Sequence, residues 1–330
     1  MRGIINVYAC GGCGTSVVMP LENKDSPEYG VAQVNHYYLD TSRSDIMKGI
    51  PAERVFMLGD HVKNTDVEEI EGSGGVRAKN YEHIKPLIPK VMHSFGPSAD
   101  LNIVVSSASG GSGAVFAACV VEELLKQDRP TIVIMVSSTD TLIEVTNSIK
   151  AIQTYERIAR STEVPVVCCH YQNDNLTPAN SVDEAIRRLI DRLAVLFSRQ
   201  NRKLDKQDLA HFLNYTVTTT AEAKLVYLDV YDGIAELDDT ADVIAVATLS
   251  NEGGETAFQA KVEYQRVGYI SDECGIKINA PWHFCIVDGY AEKALRSLRE
   301  QESAFKTDIK GRRKKTTLLA DNETGTDIFL

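Results

Sequence analysis

Between two apolar runs of this chain stands Ser109-Gly110-Gly111-Ser112-Gly113. The run before it, Leu101 to Ser106, reads as a buried strand, and Ala114 to Leu125 reads as a helix with little polar interruption. A strand that ends in bare backbone and resumes at once as a helix restricts the fold more than anything else in the sequence. Glycine lets successive amides turn inward, and a helix start adds a positive dipole. Such a junction can cradle a phosphate, present a serine on a tight elbow, or simply pack closely. Two more glycine segments lie in the same third of the chain. Cys10-Gly11-Gly12-Cys13-Gly14 follows the first apolar run, and Gly72-Ser73-Gly74-Gly75 precedes a helical pattern.

Around these loops the pattern alternates. Strands are predicted at Ile4 to Ala9, Val34 to Leu39, Val55 to Leu58, Leu101 to Ser106, Thr131 to Val136 and Val164 to Cys169. Helices are predicted at Glu82 to Phe95, Ser112 to Lys126 and Thr141 to Ser161. This rhythm implies an α/β fold with a mostly parallel, Rossmann-like doubly wound sheet, whose ligands bind at the carboxyl ends of the strands. From Val182 to Arg199, the residues Ile186, Leu189, Ile190, Leu193, Leu196 and Phe197 form one helical stripe. A further helix is expected from Asp205 through Leu213. Strands follow at Leu225 to Val230, Val243 to Leu249 and Phe284 to Val287, then a helix from Ala291 to about Phe305 and a polar tail. The expected organisation is a ligand-binding domain over 1–180, a central helix and linker over 181–204, a smaller α+β domain over 205–290, and a C-terminal helix with an acidic tail over 291–330.

Several familiar chemistries fail on these residues. A Walker loop needs a lysine at its end, which no glycine loop here supplies. A dinucleotide fingerprint would run Gly12-x-Gly14-x-x-Val17, with valine where close helix packing wants glycine. Gly110-x-Ser112-x-Ala114 imitates a nucleophile elbow, and a serine hydrolase using Ser112 with His170, His211 or His283 stays open as an alternative. Cys10 and Cys13 with Cys168, Cys169 and His170 invite a redox or zinc reading, but adjacent strand residues such as Cys168 and Cys169 face opposite ways, which favours packing. Seven cysteines without framework spacing suit a reducing cytoplasm. The net charge of -11 argues against direct nucleic-acid binding. No run approaches the ~20 apolar residues of a membrane span, and the N-terminus lacks the features of a signal peptide.

Together the loops resemble the tubulin/FtsZ superfamily. Its signature GGG[T/S]G[T/S]G, placed between a strand and a helix, is matched by Ser109 to Val115, with Ser109 in place of the first glycine. Gly11, Gly12, Cys13 and Gly14 are similar to its first phosphate loop, and Gly72 to Gly75 to its γ-phosphate-sensing loop. Asp40-Thr41 is similar to the element that ends its second strand. The closest resemblance is to the phage-encoded, PhuZ-type branch. It is carried by the compact length, Glu156 to Ala159 leading into Val164-Pro165, and Arg202-Lys203-Leu204-Asp205 with Asp208. Lys203 stands where tubulin and FtsZ carry an asparagine.

The resemblance implies a GTP-dependent polymerising protein whose dynamic filaments position phage DNA in the cytoplasm of an infected bacterial cell. It implies GTP contacts from Gly11, Gly12, Cys13, Gly14, Asp40, Gly74, Gly75 and Ser109 to Gly113. It also implies that Glu144 meets the ribose and that Asn173 and Asp183 read the base. A carboxylate can accept both the ring N–H and the exocyclic amine of guanine, which gives Asp183 a rationale of its own beside that of a helix cap. Asp205 and Asp208, three apart at a helix start, read on their own as a cap. The resemblance makes them the hydrolytic pair, reaching into the next subunit's pocket in a head-to-tail homopolymer. Magnesium is expected to bind through the phosphates, without a dedicated protein cage. The tail over 321–330 is expected to dock on a neighbouring subunit. A nucleotide-binding module that no longer hydrolyses is the remaining alternative.

Overall fold

The computed structural model describes residues 2–22, 29–43, 49–62, 74–97, 99–174, 176–233, 242–254 and 261–313. Gly72, Ser73 and the tail from 314 to 330 lie outside the described residues.

Among the described residues, ten strands form one sheet in the order β3-β2-β1-β4-β5-β6-β7-β10-β8-β9. β1 (Ile4–Cys10), β2 (Gln33–Asp40), β3 (Val55–Met57), β4 (Leu101–Ser107), β5 (Thr131–Ser138) and β6 (Val166–Asn173) are all parallel. β7 (Leu225–Asp232) continues parallel to β6. β10 (Trp282–Val287) then runs antiparallel between β7 and β8 (Val243–Asn251), and β9 (Tyr264–Ile270) closes the edge parallel to β8. The C-terminal strands thus extend the same sheet as the N-terminal ones. Strands buried on both faces read as continuous apolar runs, which is why β1, β4 and β5 were legible as strands.

Two apolar layers flank the sheet. Ile5, Val7 and Ala9 of β1 face one, while Tyr8 and Cys10 face the other, as alternation along a strand requires. The first layer holds α1 (Gly11–Val18), α6 (Ala179–Leu196) and α7 (Lys206–Leu213). The second holds α2 (Tyr81–Ile84), α3 (Ile88–Phe95), α4 (Ser112–Lys126), α5 (Leu142–Thr162) and α8 (Tyr290–Arg313).

Three helices depart from the sequence pattern. The expected helix over Glu82 to Phe95 is broken into α2, a 3-10 turn at Lys85–Leu87 and α3, because Pro86 and Pro89 lack the N–H that would continue it. α6 begins at Ala179, not near Val182, so Asp183 lies in the second turn and is not the cap; Pro178 occupies that place. α8 runs eight residues past Phe305, into the basic stretch Lys310 to Arg313. It has little apolar stripe there, and i,i+4 pairs such as Lys306–Glu302 (3.0 Å) and Arg312–Asp308 (2.6 Å) line its surface.

At the amino edge of the sheet, buried Asp100 staples β1, β4 and the segment after α6 together. It accepts from the Ile4 N–H at 2.9 Å, pairs with Arg199, and meets Lys206 at 3.2 Å. Burial alone would raise this carboxyl, but the bonds from Arg199, Ile4 and Lys206 outweigh it and hold Asp100 below the usual carboxylate range. A carboxyl lowered on folding stabilises the fold above its unfolded value and loses that contribution as pH falls through the folded one. Asp100→Asn is therefore expected to lower the denaturation midpoint at pH 7. The gap to the wild type should close as pH drops below roughly 4, where an unfolded aspartate protonates. Urea titrations across pH check this; a gap independent of pH would contradict it.

Candidate functional site

Two glycine junctions meet at the carboxyl edge of β1 and β4. Gly11 opens α1 with φ +72, a left-handed conformation that suits glycine. A Cβ on Gly11 would stand 2.9 Å from the Gly113 Cα, and one on Gly113 would stand 2.6 Å from the Cys10 carbonyl oxygen. The two loops therefore touch backbone to backbone, with no room for a side chain. Above the contact is a cleft of about 190 Å³ lined by Gly11, Gly12, Cys13, Gly110 to Gly113, Ser107 and Asp40 with its two successors. The amino ends of α1 and α4 both open here, so their free N–H groups and dipoles converge on one space. Gly14 does not line the cleft; it packs α1 down on the Val105 carbonyl.

A polar scaffold holds the second loop from behind. Ser107 Oγ accepts the Gly110 N–H at 3.0 Å, and Ser109 Oγ accepts the Ser138 N–H at 3.3 Å. Buried Asn147 donates to the Ser109 carbonyl at 3.0 Å and to the Gly75 carbonyl at 2.8 Å, tying two glycine loops to α5. Asn80 donates to Ser112 Oγ at 3.0 Å. Sequence reasoning missed the roles of Ser107, Asn80 and Asn147. The available signal for Asn147 was a polar residue among the buried positions of an otherwise apolar helix face.

The other predicted residues distribute as follows. Asp40, buried at the end of β2, accepts from the Thr41 and Ser42 N–H groups at 2.6 and 3.3 Å. Gly74 and Gly75 both have positive φ beside α5. Glu144 is half-buried and accepts the Thr141 hydroxyl at 2.8 Å, in a cap at the start of α5. Asn173 ends β6, and its Oδ1 is buried with no hydrogen-bond partner among the described residues. Asp183 faces α1, where the Ser16 hydroxyl lies 3.5 Å from its Oδ2. Burial holds the Asp183 carboxyl above the ordinary range, against the pull of Arg187 and Ser16. The neighbouring Cys13 thiol is pushed up to about 12 by burial and by Asp183, which makes it a poor nucleophile.

Asp205 and Asp208 are elsewhere. Asp205 Oδ1 accepts the Gln207 and Asp208 N–H groups at 2.8 and 2.9 Å, and Asp208 Oδ2 accepts the Asp205 N–H at 3.1 Å, a complete capping box on α7. Arg266 Nε donates to Asp208 Oδ1 at 2.7 Å. Lys206, next to Asp205, is bonded to Asp100 at the amino ends of β1 and β4, whereas the glycine loops are at their carboxyl ends. A strand of the length of β4 spans about 23 Å, so the acids and the cleft of one chain are at opposite edges of the sheet.

The histidines considered for a hydrolase are engaged away from Ser112. His170 meets Ser137 and Tyr290, His211 meets Gln207, and His283 meets Thr248. Among the described residues no cysteine is in a disulfide and no group of three His, Cys, Asp or Glu could hold a metal ion.

Two glycine loops closing on one cleft at the carboxyl edge of a mostly parallel sheet, with a long helix leading to a second half, match the tubulin/FtsZ class of fold. No family model matches the chain. A phage tubulin-like protein of Pseudomonas phage PhiPA3 is 28% identical over 254 residues, covering 76% of this chain and 75% of the relative. Among solved structures, a protofilament of TubZ from bacteriophage PhiKZ aligns with a TM-score of 0.85 at 23% identity, covering 96% of each chain. The phage tubulin PhuZ with GDP aligns with a TM-score of 0.83 at 19% identity, again over 96% of each. The chain has the fold of the phage tubulins and is similar in sequence to phage tubulin-like proteins.

Asn147→Ala would leave the Ser109 and Gly75 carbonyls without their donor. The expected cost is about 1–3 kcal/mol of stability, with faster hydrogen exchange at 109–113 than in the wild type. Exchange mass spectrometry checks this; unchanged protection of that loop would contradict the tethering role.

Proposed function

We propose that the chain binds and hydrolyses GTP and assembles head to tail into filaments, each active site being completed by the next subunit. One observation carries the reading: the phosphate cleft and the paired acids occupy opposite edges of the same sheet. No single chain can bring them together, whereas a second copy stacked along the sheet axis can. A contact that pairs two different surfaces repeats without closing and so builds a filament.

In this reading the N–H groups of the Gly11 and Gly110–Gly113 loops hold the phosphates, and Ser112, Gly74 and Gly75 border them. The unpartnered Asn173 Oδ1 accepts from the base, Asp183 accepts the guanine N1–H and amine, and Glu144 lies by the ribose. The capping box fixes both carboxylates, while Asp205 Oδ2, with no hydrogen bond among the described residues, would orient a water. Among the described residues lining the cleft, Asp40 is the sole carboxylate, and its Oδ1 already takes two backbone N–H groups. This donor set fits a magnesium ion held chiefly by the phosphates, whose charge it would neutralise when bound. The filament would act in the host cytoplasm to position phage DNA, and the tail over 316–330 would strengthen the contact between subunits.

Asp208→Ala should polymerise with GTP yet release phosphate at least about 100-fold more slowly per subunit, giving filaments that persist after dilution. Asp183→Ala should weaken GTP binding without a matching gain for ATP. Removing 316–330 should raise the assembly threshold. Pelleting and phosphate release test all three; wild-type turnover in Asp208→Ala filaments would sink the two-subunit site.

A further inference from the structure

The segment from the end of α6 into α7 carries four cations, and three of them are neutralised within the chain. Arg199 and Lys206 meet Asp100, and Arg202 meets Glu252. Nearby Arg266 is taken by Asp208. Lys203 is exposed and has no carboxylate partner among the described residues. Its ammonium is 5.3 Å from the centroid of the Tyr269 ring instead.

Lys203 is also held in place. Its φ is +60, a left-handed conformation that lysine seldom adopts and that persists only where the surroundings enforce it. The enforcement is visible on both sides. Arg202 and Tyr269 exchange backbone hydrogen bonds, with the Arg202 N–H 2.7 Å from the Tyr269 oxygen and the Tyr269 N–H 2.9 Å from the Arg202 oxygen. Leu204 is buried against Gly268, where a Cβ would come within 2.7 Å of the Leu204 Cβ. Two residues beyond Lys203 is Asp205. A strained, clamped and unneutralised cation therefore stands beside the acid pair, on the edge of the sheet that must face the next subunit's phosphates.

We infer that Lys203 is a catalytic residue acting in trans, placing its ammonium on the γ-phosphate of the nucleotide bound by the adjoining subunit. This rests on the head-to-tail reading above. In the step it serves, water adds to the γ-phosphorus while the bond to the β–γ bridging oxygen breaks. The electron pair goes to that oxygen of GDP, and the water proton passes to the Asp205–Asp208 pair and then to solvent. Negative charge on the transferring group and the bridging oxygen is what a preorganised cation stabilises in a contact that excludes water. An asparagine at this position, as the superfamily resemblance would place there, offers a hydrogen bond but no charge.

The test compares wild type, Lys203→Asn, Lys203→Ala, Lys203→Arg and Asp208→Ala. Asparagine tolerates left-handed φ well, so Lys203→Asn removes the charge without straining the loop. Assembly is measured with a hydrolysis-resistant GTP analogue, and phosphate release per polymerised subunit is measured with GTP above each variant's threshold. The expected result is a roughly 100-fold slower release in Lys203→Asn and Lys203→Ala, with most activity kept in Lys203→Arg and with all variants still assembling on the analogue. Release at the wild-type rate in Lys203→Asn and Lys203→Ala would overturn the inference, as would an equal loss in the arginine variant. Asp208→Ala separates the two readings. If its filaments are inert while Lys203→Ala filaments hydrolyse normally, only the role of Lys203 falls. If they hydrolyse normally too, the two-subunit site falls with it.

Discussion

The contact between the Gly11 and Gly113 backbones is the constraint from which the rest of the site follows. It brings the carboxyl ends of β1 and β4 together so closely that the starts of α1 and α4 share one cleft. Any side chain at either position would separate the two loops and turn their N–H groups away from a common point. Asn147, Ser107 and Asn80 then hold the second loop from below, so that its conformation is set before a ligand arrives. The cradle is thus built from absence of side chains in front and full hydrogen bonding behind.

The second determinant is the thickness of the sheet along its strands. From Asp183 in its second turn, beside α1, α6 leads down to the segment that carries Lys203, Asp205 and Asp208 at the far edge. The stretch from Asp183 to Leu196 spans roughly 21 Å of helix, so in the proposed stack Asp183 and the acid pair of one chain would belong to two different sites. In the proposed assembly, catalysis that depends on the next subunit would need no moving part. Arg266 and the capping box hold Asp205 and Asp208 in a fixed orientation, and in the proposed assembly a second copy would bring that pair to the cleft.

Much of this was legible in the sequence where burial was extreme. β4, the Ser109 to Gly113 loop and α4 could be read from an apolar run, bare backbone and another apolar run, and the stripe from Ile186 to Phe197 gave α6. Other parts were hidden for physical reasons. Gly11 to Val18 carries little helix propensity and becomes a helix because it packs under β1 and β4. β9 has a glycine and mixed polarity, as edge strands do, and escaped notice. The prolines at 86 and 89 broke a helix that hydrophobic period alone would have kept whole. Asp183 was placed at a helix start because the stripe begins there, although the first turn is polar and exposed. For Asp205 and Asp208 the structure shows the cap that their spacing implies, and the hydrolytic role remains a proposal that the box would serve by fixing the pair at the edge of the sheet.

Phosphate release and light scattering followed together over a series of protein concentrations, with GTP and magnesium and an ATP control, test the central claim most directly. The two-subunit site predicts that both signals switch on above the same threshold, with GTP alone. Release per molecule that is independent of concentration and continues below the scattering threshold would mean that one chain holds a complete site, and would contradict the account.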